Sequence, residues 1–299
     1  MLPNLLLLQI AFFKRARLSS EMPELPEVET VRITLKPIIG AKITSLWWSG
    51  KNLRLNAAFD LKGVEKSVGC KIESISRLGK YLILYLQNSE LALLVHLGMS
   101  GRFRYFPKGS TRPSHTHVEW ELADGRLLRF TDPRRFGQVE CIVRGKEREH
   151  ASLGKLGPDP VNDEISVQVF YEKCQRTRRP IKVALLDQSL VAGIGNIYAS
   201  EALWSAKIHP ERPANTLSKK ACKTLIEAVR EVLTRALSHG GTSLKDFVAA
   251  DGHAGQHSHY LWVYDREGQG CPKASCTSVI KRIVQQNRAS FLCTKCQRK

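Results

Sequence analysis

The C-terminal segment carries four cysteines with the spacing of a metal site. Four residues separate Cys271 from Cys276, two separate Cys293 from Cys296, and sixteen lie between the two pairs. Four thiolates satisfy a tetrahedral Zn²⁺ ion, and the intervening stretch is long enough for a β-hairpin. The spacing predicts a zinc ribbon with one structural Zn²⁺ ion, since a closed four-cysteine site leaves no position for a catalytic water. The alternative interpretation is four free thiols.

A second chemical pattern is Met-Pro-Glu-Leu-Pro-Glu-Val-Glu-Thr at residues 22–30. If the protein began at Met22 and lost that methionine, Pro23 would carry a free secondary amine. Such an amine has a pKa of about 7.7 to 8.0, against about 10.4 for lysine, so much more of it is unprotonated near neutrality. Attack on a sugar carbon would give a cationic iminium that draws electrons for elimination, with Glu24 and Glu27 near enough to serve as acid or base. By itself, the stretch is more typical of a helix start than of a catalytic site.

The first 21 residues differ from the rest of the chain. Residues 2–13 are strongly apolar and a basic run follows them. The segment is too short to span a bilayer and lacks the residue order of a secretory signal. Because Pro23 inside a peptide bond is not a nucleophile, we expect the working protein to begin at Met22 and residues 1–21 to reflect a misassigned start.

The charge balance indicates a polyanionic partner. Lysine and arginine number 46 against 28 acidic residues, and the resulting net charge of +18 is spread along the whole chain. Such a surface favours DNA, with binding driven by counterion release and weakened by salt. Solubility alone does not require so large an imbalance.

The other four cysteines are scattered through apolar or helical sequence. They are Cys70, Cys141, Cys174 and Cys222. We interpret them as buried thiols and not as a disulfide framework. A reducing cytoplasm is therefore the expected compartment, with the protein associated with the nucleoid.

The apolar pattern predicts a β-rich first half and a helical second half. A helix is expected at residues 26–35, with proline in its first turn and acidic residues near its positive end. Strands are expected at residues 43–48, 70–76, 81–86, 91–97, 117–122 and 127–130, a rhythm typical of a β-sandwich or barrel. Gly, Pro, Asn and Asp near residues 154–163 indicate a linker. The clearest helix is expected at residues 217–238, stopping at Gly240-Gly241.

Further motifs occur between these elements. They are Gly-Lys-Tyr-Leu at 79–82, His-Leu-Gly-Met-Ser-Gly at 96–101, Thr-Asp-Pro-Arg-Arg-Phe-Gly at 131–137, Gly-Ile-Gly-Asn-Ile-Tyr-Ala-Ser-Glu at 193–201 and Gly-Gly-Thr at 240–242. Together with the proline segment and the cysteines, and in this order, they make residues 22–299 resemble the bacterial formamidopyrimidine-DNA glycosylases.

The resemblance implies an α+β fold with several parts. An N-terminal β-sandwich domain with an N-terminal helix would span residues 22–153, followed by a linker at 154–164. A helix-two-turn-helix DNA-binding domain would span residues 165–262, and the zinc ribbon residues 263–299. The implied enzyme is a bifunctional glycosylase and abasic-site lyase that removes 8-oxoguanine and formamidopyrimidines from duplex DNA and nicks the abasic site by β,δ-elimination.

The resemblance also assigns catalytic roles by matched position. Pro23 would be the Schiff-base nucleophile and Glu24 the proton donor beside it. Lys80 would act in β-elimination, and Arg288, on the zinc hairpin, in phosphate binding and δ-elimination. From its spacing alone, Lys80 would be a solvated lysine at a strand end.

Several positions match residues that contact DNA in the family. Met99, Arg134 and Phe136 match the wedge that fills the space left by an everted base. Gly193 and Gly195 would let the chain approach DNA closely, and residues 249–260 would form a mobile polar cover over the base. The remaining DNA-contacting positions are His115, Thr177, Lys182 and Asn196, with Thr177 standing where the family commonly has a basic residue.

Two other functions compete with this interpretation. An endonuclease VIII-like glycosylase would act on oxidised pyrimidines, and a non-catalytic protein that binds damaged DNA would result if the N-terminal extension were retained. In each case the expected partner is damaged double-stranded DNA. We expect a monomer with no membrane contact and no organic cofactor.

Overall fold

The computed structural model describes residues 22–54, 58–243 and 247–299, so the predicted misassigned start at residues 1–21 lies outside the described residues. The first helix, α1, spans Leu25–Thr34 and has Glu24 as its N-cap. The Glu24 and Glu27 side chains complete a capping box, in which each carboxylate accepts a backbone N–H at the helix start. The predicted helix is confirmed, beginning one residue earlier because Glu24 caps it.

Eight strands form two antiparallel four-stranded sheets. One sheet has the order β1-β6-β7-β5 and the other β2-β3-β4-β8. A short helix, α2, spans Leu61–Glu65 between β1 and β2. The strands are β1 Ile43–Trp48, β2 Ile72–Leu78, β3 Tyr81–Leu86, β4 Leu91–His96, β5 Arg102–Phe106, β6 Thr116–Leu122, β7 Leu127–Thr131 and β8 Gln138–Val143.

The sandwich core lies between the sheets and extends to α1. Phe103, Trp120 and Phe130 come from three neighbouring strands of one sheet and are fully buried, while Leu82 of β3 packs into the same cluster from the other sheet. Val28 of α1 joins this cluster, so its burial fixes the N-terminal segment against the sandwich. The predicted β-sandwich is confirmed. The sequence pattern does not predict strands β5 and β8.

The second half is helical and has its own core. Helices α3 Val167–Gln175, α4 Ile181–Leu185, α5 Asn196–Ser205 and α6 Lys219–Ser238 surround it. The predicted helix at 217–238 begins two residues later, because the Ser218 side chain caps it by accepting the Ala221 N–H. Within the described part of the chain, no helix is long and apolar enough to cross a membrane.

A β-hairpin ends the chain. Strands β9 Lys281–Gln285 and β10 Arg288–Leu292 pair antiparallel, and the two turn residues between them, Gln286 and Asn287, both have positive φ. Positive φ at both central residues is the geometry of a two-residue turn that matches strand twist. The turn therefore places Arg288 at the start of the second strand.

Candidate active site

A cavity of about 290 Å³ opens where the N-terminus, the sandwich, the helical domain and the hairpin meet. It gathers several residues that the sequence singled out from distant positions. Its lining consists of Met22, Glu24, Lys80, Met99, Leu186, Ile194, Gly195, Asn196, Asn287 and Arg288. A concave site with a few convergent polar groups is the form that active sites take.

The Glu24 carboxylate is held by the first turn of α5. Its Oε2 accepts the Gly195 N–H at 2.6 Å and the Tyr198 N–H at 3.4 Å, and its Oε1 accepts the Ile197 N–H at 2.8 Å. Glu24 is 1% exposed. A helix N-terminus presents free N–H groups and a positive dipole end, both suited to a carboxylate. These contacts fix the two carboxylate oxygens of Glu24 at the edge of the cavity, next to buried Pro23 in the chain.

The glycines before α5 leave room for the Glu24 and Leu25 side chains to lie close to the start of this helix. A Cβ on Gly195 would lie 2.4 Å from the Glu24 Cδ, and a Cβ on Gly193 would lie 2.6 Å from the Leu25 side chain. Gly193 also has φ +88, a conformation that favours glycine. The sequence interpretation, that these glycines bring the chain close to DNA, misses this reason: they admit the N-terminal segment against α5.

Glu27 forms a second buried carboxylate behind the first. Its oxygens accept the Tyr198 hydroxyl at 2.6 Å, the Thr242 N–H at 2.6 Å and the Glu24 N–H at 2.9 Å. Burial raises the pKa of Glu27 despite these hydrogen bonds, and burial beside Glu27 holds the pKa of Tyr198 well above its ordinary value. Tyr198 therefore stays protonated and acts as a donor. Sequence reasoning found Glu27 but missed Tyr198 and Thr242.

A buried ion pair positions the Lys80 turn. Arg77 in β2 pairs with Glu29 at 2.9 Å and with Asp159 of the segment that was predicted as a linker. The same guanidinium donates to the Gly79 carbonyl at 3.0 Å, and Asp159 accepts the Gly79 N–H at 3.3 Å. The turn that carries Lys80 is thus tied to both halves of the protein, and no motif in the sequence signals this tie.

His96 lies close to Lys80 and is neutral at ordinary pH. Burial lowers the pKa of His96 to about 4, with the nearby charges of Lys80 and Arg54 acting in the same direction. Its Nδ1 accepts the Gly98 N–H at 3.2 Å. A neutral imidazole adds no positive charge beside Lys80.

The predicted wedge residues lie on two loops in close contact. Gly98 has φ +64, and a Cβ there would lie 2.5 Å from the Phe136 carbonyl carbon, so the Met99 loop packs directly on the Phe136 loop. The Arg134 guanidinium lies 4.8 Å from the Phe136 ring centroid. Met99 and Phe136 are half-buried and Arg134 is exposed, as a wedge requires.

Asp132 holds together the two loops that carry Met99 and Phe136. It accepts the Ser100 hydroxyl at 2.5 Å, the Gly137 N–H at 2.7 Å and the Arg134 N–H at 3.1 Å. The sequence Asp132-Pro133-Arg134-Arg135 is typical of an exposed polar turn, but Asp132 is 0% exposed. A short carboxylate with three donors can be buried without leaving an unpaired charge.

Lys182, which the family resemblance places in contact with the DNA backbone, is buried. It is 1% exposed, and its Nζ donates to Asn196 Oδ1 at 2.7 Å, the Ala289 carbonyl at 2.7 Å and Ser290 Oγ at 2.8 Å. A direct phosphate contact does not fit this burial. The ammonium instead joins α4, the start of α5 and the hairpin.

Among the remaining predicted positions, two are exposed and one is half-buried. Arg288 is exposed at the cavity rim. His115 is exposed at φ +61, and its carbonyl accepts the Asp132 N–H at 2.9 Å, which links it to the wedge loop. Thr177 is half-buried, and its hydroxyl accepts the Arg179 backbone N–H at 3.2 Å.

Comparison with known proteins decides the family. Residues 22–139 match the family described as the formamidopyrimidine-DNA glycosylase N-terminal domain, and residues 156–248 match the formamidopyrimidine-DNA glycosylase H2TH domain. The chain belongs to the formamidopyrimidine-DNA glycosylase family.

Similar glycosylases cover nearly all of the chain. A formamidopyrimidine-DNA glycosylase of Dichelobacter nodosus is 40% identical over 278 residues, which is 93% of this chain and 100% of the relative, and one of Syntrophotalea carbinolica is 42% identical with the same coverage. A solved complex of Lactococcus lactis Fpg with DNA containing an abasic site has a TM-score of 0.84 at 36% identity, covering 92% of this chain and 100% of that one. A complex of MutM with DNA containing carbocyclic 8-oxo-G has a TM-score of 0.83 at 35% identity, covering 93% and 100%.

Residues 249–260, the predicted mobile cover over the base, are anchored near both ends. Ala250 is 0% exposed in the sandwich core, and its N–H donates to Thr34 Oγ1 at 3.0 Å. At the other end, His257 is buried and its Nδ1 lies 3.0 Å from His239 Nδ1. Residues near both ends of the stretch are therefore buried, while Asp251 and His253 in the middle are exposed.

The four C-terminal cysteines of the glycosylase could hold a metal ion. Their sulfur atoms all lie within 4.8 Å of one another, with Cys271 and Cys296 at 3.8 Å and Cys276 and Cys293 at 3.7 Å. Sulfur atoms about 2.3 Å from a tetrahedral Zn²⁺ are separated by about 3.8 Å, which these two distances match. The donor set and its spacing therefore fit the predicted type of metal. Cys174 and Cys222 are buried as predicted, but Cys70 and Cys141 are only half-buried.

Proposed function

We propose that this protein removes oxidised purines from duplex DNA through a Schiff base on Pro23 and then cleaves the abasic site. The observation that carries the proposal is the cavity that gathers Glu24, Lys80, Met99 and Arg288 beside the N-terminal segment. Family membership supports the glycosylase and lyase activities, and the endonuclease VIII-like alternative is not favoured because the similar curated proteins are named formamidopyrimidine-DNA glycosylases.

The chemistry requires a free amine on Pro23. The amine attacks C1′ of the damaged nucleoside and loses its proton, the bond from C1′ to the base breaks, and the departing base takes a proton. The C1′–O4′ bond then opens, O4′ takes a proton, and C1′ and the proline nitrogen become the iminium. Loss of a proton from C2′ and departure of the 3′ phosphate then complete β-elimination. This role requires Met22 to be the start and to be removed. In support, the family match begins at residue 22.

Each neighbour has a role that its position suits. Glu24, held by the N–H groups of Gly195 and Ile197, is positioned to donate and accept protons beside the amine. Lys80, at the cavity wall, would remove the proton for β-elimination. Arg288 at the rim would bind a phosphate and assist the second elimination.

The remaining predicted residues would bind the distorted duplex. Met99 and Phe136 would enter the base stack, with Arg134 beside them. His115, Thr177 and Asn196 would contact the backbone. Lys182 would support Asn196 and the hairpin from behind.

We also propose that the four cysteines bind one Zn²⁺ ion with a structural role. Cys271, Cys276, Cys293 and Cys296 would hold it, and it would fix the fold at the base of the hairpin that carries Arg288. A four-thiolate ion has no open position and takes no part in the reaction.

Borohydride trapping tests the central step. Chains beginning at Met1 and at Met22 are incubated with a duplex containing one 8-oxoguanine and reduced. We expect a covalent adduct only with the Met22 chain, and a weaker one when Pro23→Gly is introduced. If neither chain is trapped although both bind the duplex, the Schiff-base proposal fails and binding without catalysis replaces it. An adduct on an intact Met1 chain, verified by mass, would exclude Pro23 as the nucleophile.

A further inference from the structure

The Gln188 side chain binds the loop that leads into α5. It is half-buried, and its Nε2 donates to the Ile194 carbonyl at 2.8 Å and to the Leu186 carbonyl at 3.1 Å. Its Oε1 accepts the Gly193 N–H at 2.8 Å. Both amide N–H groups and the amide oxygen therefore bond to the backbone of one short loop.

The peptide between Ile194 and Gly195 lies between Gln188 and Glu24. Its carbonyl accepts the Gln188 N–H, and its N–H is the group that donates to Glu24 Oε2 at 2.6 Å. Because the peptide is planar, its N–H cannot turn away from Glu24 unless its carbonyl also turns away from Gln188. A carbonyl that accepts a hydrogen bond also polarises its peptide and makes the N–H a stronger donor. Gln188 therefore influences both the direction and the strength of the bond to Glu24.

Gly193 links Gln188 to the N-terminal segment in a second way. Its N–H donates to Gln188 Oε1, while its carbonyl accepts the Leu25 N–H at 3.0 Å. Glycine has more backbone freedom than other residues, so hydrogen bonds on both sides of Gly193 restrict a conformation that its own side chain cannot. The two residues that follow Pro23 in the chain are thus bound by backbone groups that Gln188 holds in place.

We propose that Gln188 is a positioning residue for the Pro23 amine, acting through the backbone of residues 193–195. The two residues whose carbonyls it binds, Leu186 and Ile194, line the cavity, so the amide supports the cavity wall from behind. The inference rests on the proposed Schiff-base function, since the group that Gln188 places is the nucleophile of that reaction.

Two substitutions separate the hydrogen bonds of Gln188 from its packing. Gln188→Glu keeps the shape of the side chain but puts an oxygen in place of Nε2, and Gln188→Met keeps the length without a hydrogen-bond donor. An ionised carboxylate is repelled by the two carbonyl oxygens, whereas a protonated carboxyl can again donate to one of them. These carbonyls should raise the pKa of the new carboxyl above its ordinary value of about 4.3. The defect of Gln188→Glu should therefore shrink in acid, and that of Gln188→Met should not.

The rate constant for excision of 8-oxoguanine tests the proposal, measured from about pH 5 to about pH 8 with the Met22 chain in saturating excess over the duplex. Relative to wild type at the same pH, we expect both variants to lose about 10²-fold at the alkaline end. At the acidic end, the loss should shrink by about an order of magnitude for Gln188→Glu alone. Gln87→Glu, which makes the same change of charge at an exposed glutamine, should follow the wild type throughout. A Gln188→Met chain with the wild-type rate would overturn the proposal, and so would losses in the two variants that stay equal at every pH.

A second measurement uses the protein without DNA. Backbone hydrogen exchange, followed by NMR, should be about 10-fold faster in Gln188→Met than in wild type at the Leu25 and Gly195 amides, whose acceptor and donor positions depend on Gln188. The Val263 amide, which donates to Glu201 in the same domain, is the internal control and should exchange at the wild-type rate. Equal acceleration at Val263 would indicate general loosening of the domain and would overturn the proposal. A wild-type chain that shows no excision would refute the proposed function, and the exchange rates would then still decide whether Gln188 holds the N-terminal segment.

Discussion

The Glu24 carboxylate accepts the Gly195 N–H at 2.6 Å, across 171 residues of sequence. This one contact joins the N-terminal segment of the sandwich domain to the first turn of α5 in the helical domain. The position of the Glu24 carboxylate in the cavity therefore depends on how the two domains pack against each other at this contact.

Gly195→Ala should displace Glu24 and slow base excision. The added Cβ would lie 2.4 Å from Glu24 Cδ, so the carboxylate or the helix must shift. A misplacement of about 1 Å at a reacting group costs on the order of 10²-fold in rate. The rate of 8-oxoguanine excision under single-turnover conditions, with the protein in saturating excess over the DNA, measures this loss.

Gly270→Ala is the control for that variant. A Cβ at Gly270 meets nothing within 4 Å, and the residue has no positive φ. Its excision rate should equal that of the wild type. A Gly195→Ala protein with the wild-type rate would show that the placement of Glu24 does not depend on this contact.

Tyr198→Phe should destabilise the fold by about 1–3 kcal/mol. The variant removes the hydroxyl that donates to Glu27 at 2.6 Å and contacts Thr242 Oγ1 at 2.8 Å, and leaves a buried carboxylate short of one donor. Urea unfolding at neutral pH measures the change. Tyr260→Phe, at a tyrosine that is 44% exposed, should change the free energy of unfolding little. Equal effects of the two variants would contradict the role assigned to the Glu27 hydrogen bond.

Titration of His96 should lower stability in mild acid. Its pKa is about 4 in the folded chain, below the ordinary value of about 6.5, so between these values the unfolded chain binds a proton that the folded chain does not. The stabilisation is present above pH 6.5 and is lost as the pH falls toward 4, with a limit of about 1.4 kcal/mol per pH unit for one proton.

His96→Gln should flatten this part of the stability profile. Urea midpoints measured between pH 6.5 and 4 should fall less steeply for the variant than for the wild type. His257, whose pKa burial also lowers to about 4, contributes to the remaining slope in both proteins, as do His117 and His209, whose pKa burial lowers too. His253→Gln, at a side chain that is 86% exposed, should leave the slope as it is. Superimposable profiles of His96→Gln and wild type would refute the expectation.

Short apolar runs between turn residues made part of the fold predictable. Ile43–Trp48 and Tyr81–Leu86 are strands with the predicted bounds, because each is an apolar run bounded by turn residues. Strand β5 escaped prediction because arginines alternate with its aromatic residues. Arg104 pairs in register with Arg129 on the neighbouring strand, where the Phe106 ring packs against both guanidinium groups. A charged strand of this kind is recognised only when its neighbour is known.

The candidate site was predictable in its residue types more than in its contacts. The family resemblance groups Glu24, Lys80 and Arg288 as one catalytic set, and all three line the cavity. The groups that position them were not found, because Asp159 reaches Arg77 only through the tertiary fold. The same limit explains Lys182: its sequence context shows a basic run, but only packing shows that the hairpin covers it.

The burial of Lys182 predicts how salt should act on a variant. Lys182→Met removes the ammonium that joins Asn196 to the hairpin, so affinity for lesion-bearing duplex should fall through displacement of the neutral Asn196 side chain. Since the lysine makes no phosphate contact of its own in this arrangement, the slope of log Kd against log salt should stay that of the wild type. Arg288→Met is the comparison, because Arg288 is exposed at the cavity rim and is proposed to bind a phosphate, so its loss should reduce the slope by about one. Fluorescence anisotropy over a range of salt concentrations separates the two variants. A reduction of this slope by about one for Lys182→Met would instead indicate that Lys182 contacts a phosphate directly.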